Sequence, residues 1–433
     1  MDDLLANKIN HPAWQRYLVI ALSIYLLFQS IFFHLERFFL WGELFALLLF
    51  FGSQHMTYKN ALQKNIVSYC YIWIFLGSFY SILISTIYWR DEVVTYYLFR
   101  NLAMFYYAFF FFGGYQFGPD IMTFFSRYKI FIFGFLAFII FFIWHDVRYN
   151  LNISIIFSLL WIAFQRSYQK SWPFWLGLFG LLLFSIRGST SGSAKVICLM
   201  LVGLPFLLSA MALWTRQPPN FFQKIIFRIL LICGVVAVFW FFYVMIDEVN
   251  ALAGARNTIE AYQFAGEFSF TDLSGIWRLA FWAHILDRFW HFPWGLGVGT
   301  PIYTTEFIRT INLPGDLEDQ YVIGAHNFFI TALARLGVLF LPLLFLMVRD
   351  IFKLISFYLQ KTGLSFFATA QSRLVYANIA TFFAAVIQIT FNCVCESPLH
   401  AAFFWFPFGL FVRFCGDFIA TENTDSVSVV SHS

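Results

Sequence analysis

Residues 327–348 read NFFITALARLGVLFLPLLFLMV, 22 positions with a single charge, Arg335. At ~1.5 Å of rise per residue, a helix of that length crosses the ~30 Å hydrocarbon core of a bilayer. Backbone N–H and C=O groups find no water there. A helix closes its own hydrogen bonds, so it is the economical conformation even for a run rich in Phe, Leu and Val. Runs of the same kind recur on both sides, near 17–34, 38–53, 66–88, 96–118, 129–144, 151–165, 173–187, 193–214, 226–246, 374–396 and 399–416. The chain therefore reads as all-α: a polytopic transmembrane helical bundle of 12 expected spans that treats residues 1–433 as a single transmembrane domain.

Composition supports this class. Of 433 residues, 61% are hydrophobic and 12% charged, against roughly 25% charged in soluble domains. A net charge of +4, spread along the chain, gives no footprint for nucleic acid. The six cysteines lie apart, mostly in apolar runs, and Cys393 and Cys395 match neither zinc-ligand nor redox spacing, so they read as packing residues. Asp2 and Asp3 oppose a positive leader, and no small-residue cleavage site follows the first apolar run, so no cleaved signal is expected.

Lys and Arg orient the bundle. With the N-terminus in the cytoplasm, the cytoplasmic segments collect Lys8, Arg16, Lys59, Lys64, Arg127, Lys129, Arg166, Lys170, Arg349, Lys353, Lys361 and Arg413, among others. The opposite side keeps one lysine, Lys195. Both termini are then cytoplasmic, and residues 417–433 form a polar cytoplasmic tail expected to be disordered. The long connection 247–325 falls on the periplasmic side. It has no Lys, and carries Arg256, Arg278, Arg288 and Arg309 against ten Asp and Glu. Within it, GIWRLAFWAHILDRFW (275–290) predicts a mostly apolar helix, and HFPWGLGVGTP (291–301) a Pro/Gly-rich turn. Trp282, Trp290 and Trp294 suit a headgroup-level aromatic belt.

Three residues carry candidate chemistry. Arg187, in LLLFSIRGSTSGSAKV, ends an apolar run beside a Gly/Ser-rich break, where it either faces a cavity and binds an anion or snorkels to water. Arg278 is the lone cation in its helix turn, either an anion ligand or a headgroup contact. His326 stands at the mouth of the 327–348 span, a candidate general base whose alternative is a helix-end packing role. Asn327 beside it is placed to orient the ring or cap the helix, and Arg100 and Arg335 either line the same cavity or snorkel. His284, Asp287 and His291 show no metal spacing and read as a solvated face. GLGVGTP lacks the Lys-Ser/Thr of a nucleotide loop.

Taken in order, four motifs resemble the O-antigen ligase and polymerase superfamily of bacterial membrane glycosyltransferases. They are Arg187-Gly188-Ser189; Gly275, Trp277, Arg278 and Trp282; Pro293, Gly295, Gly297 and Gly299; and Ala325-His326-Asn327 with Gly337. Two positions depart from the pattern: Arg335 where an acidic residue is common, and Phe340 where ligases usually show Gly, Thr or Tyr. The resemblance implies a bacterial inner-membrane enzyme. Its donor is a glycan on undecaprenyl pyrophosphate; its acceptor is lipid A-core for a ligase, or a lipid-linked repeat unit for a polymerase. His326 is implied as the base, and Arg187 and Arg278 as pyrophosphate ligands, with no cofactor, no metal and membrane lipids as the surroundings. A transporter of lipid-linked glycan or anion is the reading from another class, disfavoured by the absence of an inverted repeat.

Overall fold

The structure, a computed structural model, describes residues 13–27, 41–53, 56–127, 204, 207–212, 270–305, 307, 325, 327–363, 369–391 and 398–430. Among these, all regular structure is helical. Helix α1 covers Ala13–Leu27 and α2 Trp41–Gly52. Helix α3 (Ala61–Tyr71) runs through a π-helical stretch, Ile72–Gly77, into α4 (Ser78–Tyr88). A 3₁₀ turn at Arg90–Glu92 leads to α5 (Thr95–Tyr106) and α6 (Phe109–Arg127). Helix α7 is Phe270–His291 and α8 Phe328–Leu336; a 3₁₀ turn at Gly337–Leu339 joins α8 to α9 (Phe340–Thr362). Helices α10 (Ala370–Phe391) and α11 (Pro398–Val430) follow.

Four helical stretches are long and apolar enough to cross a membrane: Ala61–Tyr88, Phe328–Thr362, Gln371–Thr390 and Ala401–Ala420. They coincide with four of the expected spans. The spans expected near 129–144, 151–165, 173–187 and 226–246 lie outside the described residues. The run 96–118 is interrupted at Tyr107–Ala108, where Phe110 N donates to Tyr107 O at 3.0 Å and Phe111 N to Ala108 O at 3.0 Å. These i→i+3 bonds tighten the chain, and Tyr107 Oη donates to the Glu43 carboxylate at 2.6 Å in the same place.

The chain divides into two compact units, one drawn from residues 1–78, 101–212 and 343–433, the other from 79–100 and 213–342. In the first unit α11 packs against α6 and α10. Gly114 faces the carbonyl of Phe406, and Gly409 that of Phe111, so closely that neither position has room for a Cβ. Small residues of this kind let spanning helices approach backbone to backbone. Asp350, fully buried, accepts hydrogen bonds from Arg349 (2.7 Å), Tyr69 (3.0 Å) and Asn65 (3.2 Å). The backbone past residue 417 is helical through Val430, where a disordered tail was expected. Arg413 bonds Asp417 at 2.8 Å one turn on, and Lys361 Nζ donates to Ile419 O at 2.7 Å, which ties the start of that segment to the bundle.

Candidate functional site

The second unit gathers three of the four motifs. Helix α7 supplies the first. Its Phe281 and Ile285 are buried with Ile302, Tyr303, Ala325 and Ala334, and Trp282 packs against this core. These positions repeat at helical spacing and form the apolar stripe of α7. Trp282 lies on the stripe's edge, and its indole N–H donates to the carbonyl of Ala325 at 2.7 Å. Trp282 is therefore turned inward, not outward to a headgroup belt as its sequence position suggested. Arg278 stands four residues earlier in α7, about 6 Å of rise away along the helix.

The Ala325 carbonyl belongs to the peptide that precedes residue 326. Two positions on, Asn327 caps α8: its Oδ1 accepts from Ile330 N at 3.0 Å, with the extended backbone (φ −156°, ψ 117°) of an N-cap residue. The chain position of His326 is thus bracketed by an indole-anchored carbonyl and a capped helix start. His326 and Arg187 themselves lie outside the described residues. Arg100 is half-buried on α5.

Arg335 has a different place from the one expected. It is 2% exposed, and its guanidinium donates to the carbonyls of Gly297 (3.0 Å) and Thr300 (2.7 Å) and approaches Thr300 Oγ1 (3.3 Å). It fastens the glycine turn to α8. From the other side Arg288, on α7, donates to Pro301 O (3.0 Å) and Ile302 O (2.9 Å) and lies over the Trp89 ring at 5.5 Å. In each arginine one guanidinium nitrogen, Nη1, reaches both carbonyls. Burial lowers the Arg288 pKa, with Glu92 opposing that shift.

The turn itself is specified by glycine. Gly297 has φ +70°, and a Cβ there would meet the Ser85 hydroxyl and the Ser81 carbonyl. Gly337, with φ +56°, ends α8 where the chain passes Pro293 and Trp294. The α8 carbonyls left open at that end are taken by the turn: Leu296 N donates to Ala334 O (2.7 Å) and Gly297 N to Arg335 O (3.1 Å). Ser85 Oγ accepts from Val298 N at 2.6 Å.

His284 lies one turn before Arg288. Its ring stacks on Phe307 at 4.0 Å, and its Nε2 lies 3.5 Å from Thr304 N. Burial first, then the neighbouring Arg288 charge, push its pKa down to about 4, so it is neutral near pH 7. His291 and Asp287 are 70% exposed each and 4.0 Å apart. Trp282 and Arg288 were missed as anchors. The available signal was their spacing of six residues across a helix whose stripe is otherwise Phe and Ile.

The class that emerges is a helical membrane protein with a glycine turn and an anchored Ala-x-Asn helix start in one unit. Residues 172–345 match the family described as O-antigen ligase, and this range contains all four motifs. No curated protein matches the chain.

Proposed function

We propose that this protein is a metal-independent glycosyltransferase of the inner membrane, an O-antigen ligase that moves a glycan from undecaprenyl pyrophosphate to a hydroxyl of lipid A-core at the periplasmic face. The observation that carries the reading is the family match over 172–345, which spans Arg187, Arg278 and His326 together. His326 takes the proton of the acceptor hydroxyl as its oxygen bonds to the anomeric carbon. The bond from that carbon to the pyrophosphate oxygen breaks, and its electron pair leaves on undecaprenyl pyrophosphate. Arg187 and Arg278 stabilise that charge; an arginine fork binds phosphate oxygens bidentately and stays protonated throughout. The indole-anchored carbonyl before His326 and the Asn327 cap after it favour a fixed base, which is what general-base catalysis needs. The departure at Phe340 favours the polymerase as second reading, with a lipid-linked repeat unit as acceptor.

The test is turnover per mole of inserted protein with lipid-linked donor and acceptor, across pH 5 to 9. His326→Ala is expected to keep donor binding and to lose roughly 10²–10⁴-fold in rate. Near-normal turnover in His326→Ala and His326→Gln removes the base. Gene deletion separates ligase from polymerase: a lost ladder with carrier-linked polymer accumulating marks the ligase, and a single repeat on the core marks the polymerase.

A further inference from the structure

Two apolar helical stretches measure the depth of the glycine turn independently. The apolar stretch Ala61–Tyr88 ends at Tyr88, with Arg90, Asp91 and Glu92 just beyond. Tyr80, eight residues inside that end, donates its hydroxyl to Trp294 O at 2.9 Å. At ~1.5 Å per residue, Tyr80 lies about 12 Å below the helix end. The second measure is the span that begins at Phe328. Val338, ten residues in, donates its N–H to Pro293 O at 2.7 Å. Helix α8 accounts for about 12 Å of that path before it ends at Gly337, so both measures place Pro293–Trp294 at similar depth. The chain then climbs. Gly297 N bonds Arg335 O, Val298 is held by Ser85, and Gly299 O accepts from Val94 N beyond the helix end.

We infer that Pro293–Val298 is a re-entrant segment, lying in the outer half of the hydrocarbon region with Trp294 against lipid acyl chains. Irregular backbone survives at that depth only where protein groups take its N–H and C=O bonds. Here they do. Gly295, Leu296, Gly297 and Val298 donate to Phe292 O, Ala334 O, Arg335 O and Ser85 Oγ, while the carbonyls of Pro293, Trp294, Leu296, Gly297, Thr300 and Pro301 accept from Val338, Tyr80, Thr300, Arg335 and Arg288. Residues 295–300 are buried, as bonding by protein groups requires. The surface beside them is apolar and exposed: Trp294 at 56%, Phe79, Leu83, Val338 and Leu341. It continues the exposed faces of the two spanning helices, so the occupant is the hydrocarbon of the bilayer. A headgroup-level position for Trp294 is replaced by a deeper one. The inference is independent of the reaction.

The test uses the full-length protein in phosphatidylcholine vesicles. A nitroxide is attached at Trp294→Cys, with Thr304→Cys as the exposed reference, in a background whose six cysteines are Ala or Ser. The label at 294 is expected to collide several-fold more with oxygen, and several-fold less with a water-soluble nickel chelate, than the label at 304. Equal nickel accessibility at the two sites overturns the proposal. Should Trp294→Cys not fold, Trp294→Phe serves. The emission it removes is expected to be quenched by lipids brominated on their acyl chains and spared by aqueous iodide; the reverse overturns the proposal.

Discussion

The indole N–H of Trp282 is the smallest unit on which the site depends. Trp282→Phe keeps the ring and the packing against Phe281 and Ile285, and removes only the donor to Ala325 O. A buried carbonyl left without a partner costs about 1–3 kcal/mol. The expected outcome is a destabilisation of about that size, with a lower kcat, because the carbonyl lies next to residue 326. Thermal unfolding and steady-state kinetics on the same preparation check it. His284 gives a second residue-scale expectation. Its folded pKa of about 4 lies below the ordinary imidazole value, so between about pH 4 and 6.5 the unfolded chain binds more protons than the folded one. Stability therefore rises with pH through that window, is fully present above it, and is lost as pH falls toward 4. Melting at pH 4.5 and 7 is expected to differ less in His284→Phe than in the wild type. Sequence alone offered His284 only as part of a solvated face, because nothing in the chain order shows Phe307 stacking on it.

At the scale of elements, the turn between α7 and α8 is held by residues that are not its own. Arg335 and Arg288 supply donors to four of its carbonyls, and Gly297 supplies the backbone shape. Arg335→Met orphans the carbonyls of Gly297 and Thr300, at about 1–3 kcal/mol each. Gly297→Ala adds about 1–2 kcal/mol for an L residue at positive φ, together with a clash against Ser85 and Ser81. Both variants are expected to lower the yield of monodisperse protein in detergent, whereas Asp287→Asn, on the exposed pair, leaves it unchanged; size-exclusion chromatography reads the difference. The motif glycines were legible in the sequence as a turn. Arg335 was legible only as a charge in an apolar run, since its acceptors lie 35 and 38 residues away.

For the whole molecule, the expectation is topological. Lys and Arg crowd the side that carries both termini, which predicts cytoplasmic ends and a periplasmic 247–325 connection. An alkaline-phosphatase fusion after Asn312 is expected to be active and one after Thr362 inactive; the opposite pattern inverts the orientation. Four spanning stretches in the structure agree with the hydropathy pattern, and the continuation of α11 to Val430 departs from it. The start of that continuation is tied down locally: Arg413 bonds Asp417, Lys59 lies 3.6 Å from Asp417, and Lys361 on α9 donates to Ile419 O.

Chain order was enough for the membrane class, for the helical choice within each apolar run, and for the order of the Arg, Gly and His motifs. Each of these is a property of consecutive residues, whether run length, charge placement or spacing. Partners at long range needed the fold. Ser85 meets Val298 across 213 positions and Tyr80 meets Trp294 across 214, and those contacts set the depth of the glycine turn. Trp282 reaches Ala325 across 43 positions, a bond that hydropathy cannot register because it scores an indole by its apolar ring and not by the direction of its single N–H.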